Sequence, residues 1–462
     1  MFAETALPAP TSDENRHPRL LLWLVAASMF MQTLDSTIVN TALPAMARSL
    51  GESPLHMQAV VVAYALTMAV LIAASGWLAE RFGTRRVFAV SIALFMAGSA
   101  ACAASSSLAQ LVAARVVQGA GGAMLMPVGR LAVLRAYPKE RFLRAMSFVA
   151  VPGLLGPLIG PPLGGWLTQA ASWHWIFLIN LPVGAIGLLL TAIAMPDMRA
   201  AQPPRFDLRG YLMLAGAMLA ASLTLDGLGS ATLGGVSVVL LALVAAAALM
   251  GYIRHARRAP APLFSPRLLD ERSFRIGLMG NLAARLGAGA MPYLLPLLLQ
   301  LRLERSPLES GLSLLPMALA AILARPLANG VIGRLGYRRT LVGNTVMLGV
   351  IVASFAFMAY GVLPQPLALG LLALLGAANS LQFTAMNTSA LKDLSPAVAA
   401  SGNSLFSMMQ MLGMSLGVSC GALLLHAYSA LLGAGSAAAF AATLVTAGAL
   451  TALSALIFRS LD

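Results

Sequence analysis

Asp35 is the residue around which the chemistry of this chain can be organised. It lies in Leu34-Asp35-Ser36-Thr37-Ile38-Val39-Asn40-Thr41-Ala42-Leu43-Pro44, in the second half of an apolar segment from about Leu20 to Met46. A carboxylate at the centre of a membrane helix costs about 3 kcal/mol. Such groups face a protein interior or a water-filled cavity and mark ion or substrate paths. The plainer alternative is an acid near a helix end that reaches to the headgroups. A buried carboxylate can take a proton from one side and release it to the other, because burial favours its neutral form and a nearby cation its charged form. Arg115, in Arg115-Val116-Val117-Gln118-Gly119, is a cation placed to compete with that proton. Counting residues to the outer span ends puts Asp35 roughly 16 Å and Arg115 roughly 10 Å deep, within reach of a long side chain. The alternative for Arg115 is a structural cation bonded to helix carbonyls.

The elements that must position these two residues are membrane helices. The chain is 59% hydrophobic and only 10% charged over 462 residues, outside the range of soluble domains. Apolar stretches long enough to span recur from end to end, and the alternation of barrel strands is absent. Fourteen spans are predicted, from 20–46 and 56–79 to 399–425 and 436–458. They include 208–228 and 232–253 in the middle and 275–300, 308–331 and 340–361 in the second half. The fold class predicted is an all-α polytopic membrane protein. Its parts are a cytoplasmic N-terminal tail (1–19), a six-helix bundle (20–195), a linker with an extra two-helix hairpin (196–253), a cytoplasmic loop (254–274) and a second six-helix bundle (275–462). The first apolar run has no small-residue cleavage site, so it reads as a retained helix and not as a signal peptide.

The net charge of +14 is a topology signal. With the N-terminus inside, 24 of the 30 Lys and Arg residues fall in inside segments, and only Arg48, Arg302 and Arg305 fall outside. That distribution argues against nucleic acid as a partner and predicts an even number of spans with both termini cytoplasmic. Two short basic loops also repeat. Arg81-Phe82-Gly83-Thr84-Arg85-Arg86 follows span two and Arg334-Leu335-Gly336-Tyr337-Arg338-Arg339 follows span ten, 253 residues later. Two six-helix halves would set the copies six spans apart. They stand eight apart, so an extra hairpin lies between the halves, and spans seven and eight are the candidates. Parallel repeats of this kind are a transporter architecture.

Five motifs in order resemble the major facilitator superfamily, in its fourteen-span drug:proton antiporter branch. The Asp35 stretch is similar to that branch's first-helix signature. Gly76-Trp77-Leu78-Ala79-Glu80-Arg81-Phe82-Gly83-Thr84-Arg85-Arg86 resembles the loop 2–3 motif, with Glu80 where Asp is common. Arg115 to Gly119 resembles the fourth-helix motif. Gly156-x-x-x-Gly160-Pro161-Pro162-Leu163-Gly164-Gly165 resembles the antiporter motif of the fifth helix. Trp173-His174-Trp175-Ile176-Phe177-Leu178-Ile179-Asn180-Leu181-Pro182-Val183-Gly184 resembles the sixth-helix signature, with His174 where Arg is usual. Gly129-Arg130, Ser172 to Trp175 and Asn387 to Leu394 narrow the resemblance to one group of bacterial multidrug exporters. The resemblance implies alternating access and proton-coupled export across a bacterial inner membrane. It names no particular substrate.

The residues divide the work accordingly. Asp35 and Arg115 are the candidates for proton coupling. Gly76, Glu80, Arg81, Gly83, Arg85 and Arg86 are candidates for a cytoplasmic latch, with a solvated positive-inside turn as the alternative. The second copy has Gly333 where Glu80 aligns and so lacks the acid. Gly156, Gly160, Pro161, Gly164 and Gly165 suit a helix that seals and reopens, because small residues allow close packing and prolines weaken the backbone ladder. Asn40, Gln118, Asn281, Arg285, Gln382 and Asn387 are the candidates for a substrate cavity. Three intramembrane arginines, Arg115, Arg285 and Arg325, face one clear acid. That balance fits an anionic or zwitterionic cargo at least as well as a cationic drug, although Arg325 can snorkel to the inner surface. The alternative to a drug exporter is an exporter or facilitator of an endogenous anionic metabolite or metal chelate.

Other classes are disfavoured. No His-x-x-Glu-His, Gly-x-Ser-x-Gly or phosphate loop is present, which argues against an enzyme or an ATP-driven pump. Cys102 and Cys420 both lie in apolar segments and read as packing residues, without metal spacing. The expectation is therefore a monomeric transporter that needs no cofactor or metal, draws on the proton gradient, and has a small-molecule substrate and the lipid bilayer as its partners.

Overall fold

The computed structural model describes residues 18–200, 205–229 and 234–461, so most of the N-terminal tail, Arg16 included, lies outside the described residues. Helices joined by short connections make up the described residues, because lipid offers no partner to an unpaired backbone group. The first bundle comprises α1 (Pro18–Leu50), α2 (Gln58–Ile72) with α3 (Ser75–Phe82), α4 (Thr84–Ala103), α5 (Leu108–Ala136), α6 (Lys139–Ala170), and α7 (Trp175–Leu178) with α8 (Asn180–Ala194). The hairpin is α9 (Leu208–Gly229) and α10 (Gly235–Arg258). The second bundle holds α11 (Arg272–Ala288) and α12 (Met291–Leu297), then α13 (Pro307–Ser313) and α14 (Leu315–Ala359). It closes with α15 (Gln365–Leu391), α16 (Pro396–Leu432) and α17 (Ala437–Phe458).

Among the described residues, twelve helices are long and apolar enough to cross a membrane. The α2–α3 pair, bent by 57°, makes a thirteenth. The stretch Pro307–Ala359 is 53 residues long, far more than one crossing of a bilayer core about 30 Å thick requires. It is two spans divided at Gly336, and the total is the fourteen expected. The predicted second span therefore carries a bend, and the predicted ninth is interrupted after Ala288 and ends in a π-helical turn over Leu298–Arg302.

The repeat seen in the sequence is a repeat of backbone conformation. Gly83 has φ 91° and ψ 145°, and Gly336 has φ 74° and ψ 166°. That region is open essentially to glycine alone. At both places the chain turns between two spans without an intervening loop, which only a residue lacking Cβ permits.

Within the first bundle α1 packs on α6, and α5 packs on α2 and α4; within the second, α14 packs on α15 and α17, and α11 on α16 and α17. The hairpin lies along the seam, because α9 touches both α2 and α16. Its partner α10 shows an apolar surface to the surroundings, with Val236, Leu240 and Leu243 exposed. At the end away from the basic loops the two halves meet closely. A Cβ at Gly165 would strike the Pro307 carbonyl, and one at Gly311 the Pro161 carbonyl. Gln300 Nε2 donates to the Thr41 carbonyl across the halves (2.8 Å), and Leu308 N donates to Gln169 Oε1 (3.3 Å).

Candidate functional site

The seam between α1 and α6 explains how Asp35 comes to be enclosed. Gly156, Gly160 and Gly164 recur every four residues on α6 and so line one face. They meet Thr33, Thr37 and Thr41, which recur every four residues on α1. Thr37 Oγ1 donates to the Gly156 carbonyl at 3.4 Å. With the threonine face of α1 held against α6, Asp35 is carried to the opposite side, toward α5.

There Asp35 is 0% and Arg115 1% exposed. Arg115 Nη1 donates to Asp35 Oδ2 at 2.7 Å. Gln118 Nε2, at 2.7 Å, and Asn180 Nδ2, at 3.2 Å, donate to Asp35 Oδ1. Both amides also reach Ser99 Oγ on α4 (2.8 and 3.3 Å), and Gln118 Oε1 accepts from Arg115 Nη1 (2.7 Å). Arg115 Nε donates to the Val60 carbonyl of α2 at 3.3 Å, while its guanidinium lies 4.0 Å from the centre of the Tyr64 ring. Each carboxylate oxygen thus has a donor, and the cation has a carboxylate, two carbonyl-type oxygens and two rings, Tyr64 close by and Phe177 at 5.9 Å. A proton added to Asp35 would remove the charge that these donors answer, so ion pair and proton are alternatives at one site.

The second bundle holds a different centre. A cavity of about 330 Å³ is lined by Asn281, Arg285, Met317, Gln382, Phe383 and Met386, among others. Arg285 Nε donates to Asn281 Oδ1 at 2.9 Å, and among the described residues no carboxylate forms an ion pair with Arg285. Asn281 Nδ2 is buried without an acceptor. Gln382 is fixed from α14, donating to Thr345 Oγ1 and accepting from Asn344 Nδ2, both at 2.7 Å.

The remaining predicted residues divide as follows. Gln118 belongs to the cage of Asp35 and not to a substrate cavity. It lies three residues after Arg115 and so shares its helix face. Asn40 and Asn387 also stand apart from the cavity wall. Each is five residues beyond a site residue, Asp35 or Gln382, and a five-residue step turns a side chain well away from that face. Asn40 Nδ2 and Asn387 Nδ2 bond carbonyls of their own helices, at Ser36 and Phe383. Arg325 is exposed. Arg81, Arg85 and Arg86 are exposed as well, Gly76 has open space where a Cβ would stand, and Glu80 Oε1 lies 3.9 Å from Arg135 Nη2. The loop is clasped to the linker of its own half: Thr84 N donates to the Met198 carbonyl (3.1 Å) and Arg85 Nε to the Met195 carbonyl (2.5 Å).

Three members of the Asp35 cage escaped the sequence reading. Asn180 carried a signal, a carboxamide inside the apolar run Trp175–Ala194 and within a quoted motif. Ser99 and Tyr64 carried none, since hydroxyl and phenol side chains are common in spans.

The polytopic helical fold thus holds a caged ion pair in one half and a cavity of about 330 Å³ in the other, and similarity to known proteins makes the chain a membrane transporter and not an enzyme. The chain belongs to the major facilitator superfamily: the model described as "Major Facilitator Superfamily" matches residues 25–418. It is 48% identical over 413 residues to "Putative multidrug resistance protein MdtD" of Pectobacterium carotovorum subsp. carotovorum (strain PC1), covering 89% of this chain and 88% of that one. The protein of the same name from Klebsiella pneumoniae (strain 342) is 47% identical over 448 residues, with 95% and 94% covered. That is the exporter group to which the finer sequence wording pointed. Among solved structures, a POT family transporter in complex with 5-aminolevulinic acid superposes with a TM-score of 0.71 at 16% identity, covering 96% of this chain and 95% of that one. A D-xylose–proton symporter does so with a TM-score of 0.69 at 13% identity, covering 96% and 97%. At these identities the likeness concerns the fold.

Proposed function

We propose that this protein exports small molecules across the bacterial inner membrane by proton-coupled antiport with alternating access, both termini being cytoplasmic. The observation that carries the reading is the dry Asp35–Arg115 pair, caged by Gln118 and Asn180. A buried ion pair is seldom retained for stability, because desolvation of the two charges offsets most of their attraction. A site where a proton and a cation compete for one carboxylate is a reason to keep it. In this reading the proton gradient is the energy source, and the basic end, following the positive-inside rule, faces the cytoplasm. The state with the pair formed and the far end sealed is the one that has released its proton inward and accepts cargo. The Gly156–Gly165 run then serves as the gating surface, and the loop 2–3 residues tie the first bundle to the linker. Asp35→Asn in everted vesicles is expected to abolish pH-gradient-driven uptake of a fluorescent cation such as ethidium while leaving counterflow. Gradient-driven uptake at the wild-type rate would overturn the reading.

A second reading of the cargo rests on Arg285. An unpaired guanidinium in a cavity favours an anionic or zwitterionic ligand, whereas the relatives' name suggests drugs. Competition by organic anions in the same vesicles, lost in Arg285→Gln, is expected if the cavity takes anions. Export of fluorescent cations with no inhibition by anions would exclude it.

A further inference from the structure

Tyr64 presents the face of its ring to Arg115, and nothing in the coupling reading so far uses it. The guanidinium carbon stands 4.0 Å from the ring centroid, well inside the range of a cation–π contact. Tyr64 is 3% exposed, and its hydroxyl is buried with no hydrogen-bond partner. A buried phenol normally finds a partner for its O–H. Here the ring has been kept and the hydroxyl left idle, as though the face were the useful part. The slot that admits the ring is built into α5. Gly119 and Gly122 share a helix face with Arg115, and a Cβ at either would press on Tyr64, at its carbonyl or at its hydroxyl.

We infer that Tyr64 is a positioning residue for proton coupling: its ring holds the Arg115 cation during the part of the cycle in which Asp35 is protonated and can no longer neutralise it. This rests on the reading of Asp35 as the proton site. An arginine stays charged throughout, so protonation of Asp35 leaves a bare cation in a dry bundle. Two oxygens, the Val60 carbonyl and Gln118 Oε1, already bond it, and neither carries a full charge. The ring attracts a bare guanidinium more strongly than one paired with a carboxylate 2.7 Å away, so it favours the protonated state selectively. The charged or titratable side chains that face Asp35 from the packed helices are Arg115 of α5, Tyr64 of α2 and Cys102 of α4. The Cys102 thiol donates weakly to Gln118 Oε1 at 3.7 Å.

The test replaces Tyr64 by phenylalanine and by phenylalanines with increasing ring fluorination, which weaken the face of the ring with little change of shape. The readout is infrared titration of the purified protein, following the protonated-carboxyl band that Asp35→Asn removes. It requires no transported ligand. Tyr64→Phe is expected to titrate like the wild type. Successive fluorines are expected to move the midpoint to lower pH, by about one unit across the series, as loss of a desolvated cation–π contact requires. Tyr64→Leu is expected to shift the same way. A midpoint that stays flat across the series, with the Asp35 band present, overturns the role of Tyr64 alone. Absence of any band that Asp35→Asn removes overturns the coupling reading on which it rests.

Discussion

The two halves share a backbone plan and differ in how they treat a buried arginine. In the first, Arg115 meets a carboxylate, and the pair is enclosed by donors from α5 and α8. In the second, Arg285 lies at a cavity with one amide oxygen as its bonded partner. The first arrangement is closed, with each charge answered by protein groups. The second is an incomplete one, and an incomplete polar site is what a ligand can complete. Under the proposed antiport, that contrast would make the first half the energy-coupling half and the second the cargo half.

Removing one arginine at a time should break the comparison most visibly. Arg115→Gln strands a carboxylate in a dry core and is expected to cost about 3–5 kcal/mol, the usual penalty for halving a buried pair. Arg285→Gln removes a charge with no acid to strand, and thermal unfolding in detergent should place it near the wild type. Equal losses in the two variants would mean that Arg285 has a structural partner after all. Adding Asp35→Asn to Arg115→Gln should recover most of the stability while leaving coupled transport absent. Recovery of both would contradict the proposed role of the pair.

The repeated loops sharpen the comparison on a smaller scale. Gly83→Ala and Gly336→Ala each place a Cβ at positive φ, with an expected loss of about 1–3 kcal/mol. At Gly83 the methyl would also strike Asp197 and Arg199, whereas at Gly336 nothing stands within 4 Å. Gly83→Ala should therefore melt lower than Gly336→Ala, and the reverse order would show that the linker clasp contributes little. Smaller still is the effect expected at the hairpin. Burial opposes the charge of Asp207, but the Gly210 N–H, His255 and the Leu263 N–H outweigh it and hold this carboxyl below its ordinary value. Its contribution is present above the unfolded value of about 3.9 and is lost as pH falls through the lower folded value. Asp207→Asn should remove that acid-side decline and leave stability at neutral pH only slightly reduced, as read by melting from pH 3 to 7.

Much of this was legible in one dimension. The cost of placing a charge or an unpaired amide in lipid constrains composition directly, so span number, helical class, the inserted hairpin and the placing of Asp35 and Arg115 inside the spans follow from residue types and spacing. The two basic loops share a glycine, and both copies turn there at positive φ. Partnership was less accessible. The helix face that Gln118 and Asn40 present cannot be known before the bundle is packed, so the sequence does not tell the cage of Asp35 from a cavity wall. Asn180 reaches Asp35, Tyr64 reaches Arg115 and Ser99 reaches Gln118 and Asn180, from three other helices and across separations of up to 145 positions, and no local pattern records such meetings. The sequence by itself determined that the problem of a charge in the membrane interior had to be solved in this protein. The tertiary structure alone decided which neighbours solve it, because side-chain contacts between spans depend on rotation and depth, quantities that hydrophobic length leaves free.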